Sequence, residues 1–196
     1  FGLALALVAA AQGRPRPIPV YAEMSSINPV FPLPAALATR AADLGAAFVG
    51  SLTLGAGQFC TNPGVVIAVD GPDLDTFISA AASAVAATSP ATMLSPGIAA
   101  GYRAGVDDLR RVATVEARGL DTDSPHACRA ALFSTDADTF LSSESLRQEV
   151  FGASSIVVKC RDTAQVAEVA AGLDGQLTAT VHADDADLEA ARALLP

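Results

Sequence analysis

The chain has 196 residues, of which 51% are hydrophobic and 17% are charged, and its 21 acidic and 12 basic residues give a formal net charge of -9. This composition allows one substantial hydrophobic core and is not that of a disordered chain. No run of Lys and Arg is interleaved with aromatic residues, so we expect no nucleic-acid partner, because binding to a phosphate backbone requires a basic surface.

The cysteines are Cys60, Cys128 and Cys160, an odd number with wide spacing. They can form neither a disulfide framework nor the closely spaced pair of a metal or redox site. The sequence therefore predicts no metal and a location in the reducing cytoplasm.

An apolar, Ala-rich run at residues 3–11 is the first predicted element. It is too short to cross a bilayer, and no basic segment precedes it as in a secretory signal, so we expect no membrane partner. Its leucines favour a buried, truncated helix that breaks at Gly13 and Pro15.

Short strands and helices then alternate along the chain. A buried strand is predicted at residues 18–24, a helix at 35–53 and a glycine-rich loop at 55–64. The further predicted elements are a strand at 65–69, helices at 74–87 and 95–111, a strand at 127–133, a helix at 143–150, a strand at 156–160, a helix at 163–173, a strand at 177–182 and a helix at 184–195. Because parallel strands require a long crossover, usually a helix, this order predicts a three-layer α/β/α domain with a mostly parallel sheet and ligands at strand ends.

Cys60 lies in the glycine-rich loop, whereas Cys128 and Cys160 lie within apolar predicted strands. A thiol in a loop that permits close backbone approach is a candidate nucleophile. The alternative is that the loop is a plain turn and that Cys60, like the other two cysteines, is a small hydrophobic residue.

Three short segments together resemble the motifs of the aldehyde dehydrogenase superfamily. Residues 57–61 (GQFCT) look like its cysteine motif, and residues 21–29 (YAEMSSINP) look like its glutamate motif. Residues 148–152 (QEVFG) resemble its pair of acids followed by Phe and Gly. The sequences of residues 26–31 and 59–64 are most similar to those of the 2,5-dioxovalerate (α-ketoglutarate semialdehyde) dehydrogenases.

The chain departs from the family pattern at several positions. Ser25 and Ser26 stand where the family usually has two glycines, and only the second serine is normal for the similar subgroup. Gln148 replaces the first acid of the third motif, and Ala153 replaces a proline that usually follows the glycine.

The resemblance implies a role for each matched residue. Cys60 would be the nucleophile and Glu23 the general base, whose task suits a carboxyl partly withdrawn from water. Glu149 would bind the nicotinamide ribose of NAD or NADP, Phe151 would pack on that cofactor, and Met24 would lie beside it. The expected function is oxidation of an aldehyde to the carboxylic acid, and 2,5-dioxopentanoate is a candidate substrate. The resemblance also implies a homo-oligomer.

The resemblance also implies a domain division. Residues 1–17 would be the end of a truncated cofactor-domain helix with its linker, and residues 18–196 the catalytic, nucleophile-bearing domain. We therefore expect the isolated chain to be inactive, because the family's phosphate-binding Rossmann segment would lie upstream of Phe1.

Two other function classes stay open from the sequence. A cysteine-dependent acyl hydrolase or transferase would need a histidine base, and neither His126 nor His182 lies in a loop that obviously faces Cys60. A non-catalytic assembly module is the other alternative. The acidic cluster at residues 184–189 is interpreted as helix capping rather than cation binding.

Overall fold

The computed structural model describes residues 2–194. Within these residues the strands are β1 (Val30–Pro32), β2 (Val65–Val69), β3 (Ala91–Thr92), β4 (Thr114–Arg118), β5 (Ala127–Cys128), β6 (Ala131–Asp136), β7 (Ser154–Cys160) and β8 (Thr180–His182). The α-helices are α1 (Gly2–Gln12), α2 (Pro34–Thr53), α3 (Pro72–Ala86), α4 (Pro96–Val112), α5 (Ala137–Ser142), α6 (Thr163–Ala171) and α7 (Leu188–Ala193). Short 3-10 turns lie at Leu54–Gly57, Glu144–Arg147 and Asp185–Asp187.

A six-stranded sheet with the order β4-β6-β7-β2-β1-β8 forms the centre of the fold. Its strands pair in parallel, except that β4 runs antiparallel to β6 at one edge. The central strands β2 and β7 read VVIAV and SSIVVKC and are buried over almost their whole length, as expected for parallel strands covered on both faces. The predicted α/β class with a mostly parallel sheet is confirmed.

The helices pack on this sheet around one continuous core. Helix α3 contacts β4 and β6, and α5 and α6 contact β7. Helices α2 and α3 pack closely because Gly45 has no side chain: a Cβ there would overlap the backbone of Phe77. Phe77 is itself fully buried, which contributes about 1.5–3 kcal/mol of hydrophobic stabilisation.

Helices predicted from apolar spacing agree with the structure. The predicted helices at 35–53, 74–87, 95–111 and 163–173 are α2, α3, α4 and α6. The Ser95 hydroxyl accepts a hydrogen bond from the backbone N–H of Ile98 and so caps α4, with Pro96 at its first position.

The buried strand predicted at residues 18–24 is wrong. This segment is extended but unpaired within the described chain, and its side chains are exposed, with Tyr21 at 96%. Pro17 and Pro19 have no N–H to donate to a ladder, and no strand among residues 2–194 covers the apolar side chains. The first helix forms as predicted, but the prediction that it is buried was wrong, since Leu7 is 62% exposed.

Other boundaries differ because the sequence signal was weak or mixed. Strand β1 follows Asn28 and Pro29, which had indicated a turn, and β4 is an edge strand whose exposed residues give no apolar pattern. The predicted strand at 127–133 divides into β5 and β6, and the predicted helix at 143–150 is instead α5 followed by a 3-10 turn. The strand predicted at 177–182 is shortened to β8, and the last predicted helix is a 3-10 turn followed by α7.

The acidic cluster is a capping structure. Asp184 and Asp187 form a reciprocal capping box at the start of the C-terminal turn. The buried Asp187 carboxylate also accepts from the backbone N–H groups of Ala35 and Ala36, at 2.9 and 3.0 Å, and so caps α2 as well. Across residues 2–194, no helix is both long and apolar enough to cross a membrane.

Candidate active site

The cysteine loop is an unusual backbone segment between α2 and β2. Gly55, Ala56 and Gly57 all have left-handed φ angles, of 56°, 60° and 69°. The turn around Cys60 is closed by a hydrogen bond of 3.0 Å from the Asn62 N–H to the Phe59 carbonyl. This backbone brings the Cys60 thiol to the surface, where it is exposed and unpaired with another cysteine.

The three motif segments meet at the amino ends of the adjacent parallel strands β1, β2 and β7. The Gly64 N–H donates to the Ile27 carbonyl at 2.8 Å, and the Ile156 N–H donates to the Gly64 carbonyl at 3.1 Å. These bonds set the starts of the three strands side by side. The candidate site therefore lies at the amino ends of the strands, opposite to the end at which open parallel sheets usually bind ligands.

The cysteine loop touches the third motif directly. A Cβ on Gly57 would overlap the backbone of Gly152 and Ala153, so only glycine permits this approach. Gly152 has a φ of 147° and lies against the ring of Tyr102. One cleft is lined by residues of all three segments: Ser26, Gly57, Asn62, Glu149, Phe151 and Gly152.

Glu149 links the first and third motifs. Its carboxyl is half-buried in the cleft, and this burial raises its pKa, an effect that the nearby Glu23 carboxylate increases. The Ser25 hydroxyl and the Ser26 backbone N–H lie near the carboxylate and act in the opposite direction. Phe151 lies two residues further on, lines the same cleft and is 38% exposed.

Glu23 and Met24 lie in the exposed segment before β1. No hydrogen bond between Glu23 and Cys60 occurs among the described residues. The carboxyl withdrawn from water, expected at Glu23, is found instead at Glu149. The structure thus brings Glu23 near Glu149 and leaves both Glu23 and Cys60 open to solvent.

A buried polar network that the sequence did not reveal holds the cysteine loop. The Asn28 side-chain amide donates to the backbone carbonyls of Cys60 and Asn62, both at 2.9 Å. Its carbonyl oxygen accepts from the hydroxyls of Ser26 and Thr178, at 2.8 and 3.0 Å. Asn28 is only 3% exposed, so these contacts satisfy a polar group that would otherwise be costly to bury.

Gln176 extends this network from the other side. Its side-chain carbonyl accepts from the backbone N–H groups of Ile27 and Asn28, at 2.7 and 3.2 Å. The hydroxyl of Ser26 accepts from the Leu177 N–H at 3.0 Å. The departure from glycine at Ser26 therefore has a structural reason, because its hydroxyl joins both halves of the network.

Two curated relatives match almost the whole chain. Alpha-ketoglutaric semialdehyde dehydrogenase 2 of Azospirillum brasilense is 50% identical over 194 residues, which are 98% of this chain and 37% of the relative. Alpha-ketoglutaric semialdehyde dehydrogenase of Acinetobacter baylyi is 39% identical over 199 residues, with 97% of this chain and 37% of the relative covered. The chain belongs to the aldehyde dehydrogenase superfamily.

Solved aldehyde dehydrogenases share its fold. The NAD-dependent benzaldehyde dehydrogenase from Corynebacterium glutamicum has a TM-score of 0.76 at 23% identity, over 98% of this chain and 42% of the other. A putative methylmalonate-semialdehyde dehydrogenase from Sinorhizobium meliloti, complexed with NAD, has a TM-score of 0.70 at 18% identity, over 87% and 36%. No family model matches the chain. The chain spans little more than a third of the length of these curated relatives.

The glutamine of the cysteine motif, Gln58, holds the cysteine loop through its side-chain amide. The Gln58 side chain donates to the Gly55 carbonyl at 3.0 Å and accepts from the Leu94 N–H at 2.8 Å. It therefore ties the left-handed turn to the segment after β3. One bond lies within the cysteine loop and the other reaches a separate segment, and together they fix the backbone before Cys60.

The other cysteines and the histidines are placed differently from Cys60. Cys128 and Cys160 are buried, and burial raises the pKa of both thiols, that of Cys160 to about 12. His126 is exposed, and the pKa of the half-buried His182 is lowered by burial and by the Arg40 guanidinium. In the part of the chain that the structure describes, neither histidine forms a hydrogen bond with Cys60. The histidine base that a cysteine-dependent acyl hydrolase needs is therefore not found beside this thiol.

Proposed function

We propose that the protein containing this chain oxidises an aldehyde to a carboxylic acid with NAD(P)+, using Cys60 as nucleophile. The observation that carries the proposal is the convergence of the three motif segments on one cleft at the amino ends of β1, β2 and β7. The sequence identity to two curated semialdehyde dehydrogenases supports it independently.

Cys60 begins the proposed reaction. Its thiolate attacks the aldehyde carbonyl carbon and forms a thiohemiacetal, whose oxyanion the Cys60 backbone N–H can stabilise, since no group among residues 2–194 accepts from it. Loss of the hydride from that carbon leaves a thioester on Cys60. Water then attacks the thioester, releasing the acid and regenerating the thiol.

Glu23 is the proposed general base for the hydrolysis of the thioester. An exposed carboxylate can accept the proton of an attacking water, and both Glu23 and Cys60 are exposed to solvent. The extended segment that carries Glu23 ends at the buried network of Ser26 and Asn28. That network therefore ties the base and the nucleophile to the same support.

The residues present fit a nicotinamide cofactor. NAD(P)+ supplies the hydride acceptor when it is bound. The half-buried carboxylate of Glu149 suits the ribose hydroxyls, and the exposed ring of Phe151 offers an apolar surface beside it. Met24 is proposed to contact the same group from the opposite segment. NAD and NADP are both compatible with these residues.

The proposed substrate is 2,5-dioxopentanoate, which is α-ketoglutaric semialdehyde. The names of the two curated relatives support this choice, because both relatives align with nearly the whole chain. We further propose a cytoplasmic homo-oligomer and the division into residues 1–17 and 18–196. The exposed, unpaired segment after α1 is consistent with a linker between the two parts.

Assays of the full-length protein test the proposal. Purified protein is incubated with 2,5-dioxopentanoate or with a thioester, each with and without NAD(P)+. An aldehyde dehydrogenase forms NAD(P)H only with the aldehyde and the cofactor together. Thioester hydrolysis without aldehyde oxidation would support an acyl hydrolase instead, and inactivity in every assay would support an assembly role.

A further inference from the structure

A second pocket, between α4 and residues 118–129, is rich in arginine. It is lined by Arg103 and Arg110 of α4, Arg118 at the end of β4, and Arg129 after β5, and we refer to it as the arginine pocket. These are four of the 12 basic residues in a chain with a net charge of -9. The arginine pocket shares no lining residue with the cleft at the three motifs.

The carboxylates in the arginine pocket do not balance its positive charge. Asp107 lies 3.6 Å from Arg110, and Asp121 lies 3.3 Å from Arg129. Among residues 2–194, Arg103 and Arg118 have no carboxylate within salt-bridge distance. The pocket therefore carries more cationic than anionic groups.

Arg118 is the least satisfied of the four arginines. Its Nε atom is buried and has no hydrogen-bond acceptor in the described part of the chain. Burial lowers the pKa of its guanidinium. The nearby charges of Arg129 and Arg110 also lower this pKa, whereas Tyr102 and Asp107 act in the opposite direction. A buried donor without an acceptor costs free energy, and an anion beside this guanidinium would offset the repulsion between the arginines.

We infer that the arginine pocket binds a small molecule bearing carboxylate or phosphate groups. Guanidinium groups match these groups because their planar N–H donors can bind two oxygens at once. The walls also supply the hydroxyl side chains of Thr122 and Ser124, which can donate to anionic oxygens. The strongly acidic charge of the whole chain argues for a small anion rather than a nucleic acid.

Tyr102 connects the arginine pocket to the candidate active site. It lines the pocket, and its hydroxyl lies 2.8 Å from the Arg129 carbonyl and 3.0 Å from the Ala153 carbonyl. Its ring packs against Gly152 in the third motif. A bound anion is thus separated from the segment after Phe151 by one side chain.

Calorimetric titration of the full-length protein tests the inference. Inorganic phosphate and succinate are titrated separately at constant ionic strength in NaCl, with NAD+ present at saturation so that the proposed cofactor site does not contribute. We expect saturable binding of at least one anion, and the two arms tell a phosphate site from a dicarboxylate site. The Arg118→Gln variant should weaken it by about tenfold or more, because charged hydrogen bonds are lost.

Two further variants keep the test decisive. Arg110→Gln changes a more exposed arginine of the same pocket and should also weaken binding, which guards against misfolding of the Arg118 variant. Arg161→Gln is the matched control, because Arg161 lies among Asp138, Asp162 and Glu168 at the opposite end of β6 and β7. Absence of saturable binding, or binding that both pocket variants leave unchanged, would overturn the inference.

Discussion

The side-chain amide of Asn28 donates a hydrogen bond of 2.9 Å to the backbone carbonyl of Cys60. The residue that leads into β1 therefore supports the residue proposed as nucleophile. Asn28 adopts a left-handed φ of 44°, a conformation that asparagine tolerates better than most residues. Its placement explains how two motifs far apart in sequence are held as one unit.

Replacing Asn28 should loosen the cysteine loop. Asn28→Ala leaves the carbonyls of Cys60 and Asn62 without their donor, and each lost hydrogen bond costs about 0.5–1.5 kcal/mol. We expect a lower free energy of unfolding and a smaller kcat, measured by urea denaturation and aldehyde oxidation in the full-length protein. Thr178→Val is the control, because it removes a bond to the Asn28 carbonyl oxygen and keeps the donor to Cys60. Equal losses of kcat in both variants would contradict a specific role for the amide.

Gly57→Ala should separate the cysteine loop from the third motif. The added Cβ would overlap the backbone of Gly152 and Ala153, and the residue has a φ of 69° that alanine adopts only with strain. We expect destabilisation on the order of 1–3 kcal/mol together with a loss of activity. Gly50→Ala is the matched control, because nothing lies near its Cβ and alanine favours a helix by about 1 kcal/mol over glycine. An active, fully stable Gly57→Ala protein would show that the close approach is not needed.

Only one of the three cysteines should react. Cys60→Ser should remove dehydrogenase activity, whereas Cys128→Ser and Cys160→Ser should retain it, because the latter thiols are buried and have raised pKa values. Alkylation by iodoacetamide, followed by mass spectrometry of the peptides, checks the same point without mutation. Labelling of Cys128 or Cys160 that spares Cys60 would exclude Cys60 as the nucleophile.

Much of this fold could be predicted from sequence because its helices carry their own signals. The apolar spacing in α2 and the Ser95–Pro96 start of α4 are local patterns, and they set the boundaries within a few residues. The segment at residues 18–24 has an apolar composition typical of a strand, yet a strand also requires a partner. No strand within the described residues pairs with it, and composition alone could not show this.

The residues of the candidate site could be predicted from the sequence, but the hydrogen bonds that hold the cysteine loop in place could not. The motifs pointed to Cys60, Glu23 and Glu149 individually, and the structure brings their segments to one end of the sheet. The Asn28 bonds to Cys60 and Thr178 span 32 and 150 positions in the chain. Local periodicity and short motifs carry no information about contacts between residues so far apart in the sequence. The buried network could therefore not be predicted.

Glu23→Gln should affect the second half of the reaction. A glutamine cannot accept the proton of the attacking water, so the thioester on Cys60 should accumulate and turnover should fall by about 10²–10⁴-fold. Stopped-flow measurements should show a burst of NAD(P)H followed by slow steady-state formation. Glu144→Gln, at an exposed acid in a neighbouring turn, should retain normal turnover. Disappearance of the burst along with turnover would indicate that Glu23 acts earlier or only structurally.

Glu149→Gln should have one effect on cofactor use and another on stability. If the carboxylate binds the nicotinamide ribose, its loss should slow hydride transfer and change the deuterium isotope effect measured with a deuterated aldehyde. An unchanged isotope effect together with an unchanged cofactor KM would refute the role.

The stability effect follows from the raised pKa of Glu149 in the folded protein. Between the pKa of the unfolded chain and the higher folded value, the folded state binds more protons, so this carboxyl's contribution to stability decreases as pH rises through that window. Burial of the ionised form is thus unfavourable above the window, and glutamine removes that cost. We expect Glu149→Gln to gain stability relative to the unchanged protein as pH is raised from 4 towards 7, in urea denaturation at each pH, by an amount on the order of 1 kcal/mol or less for a half-buried group. A difference between the two proteins that stays constant across this pH range would contradict the burial of the Glu149 carboxyl.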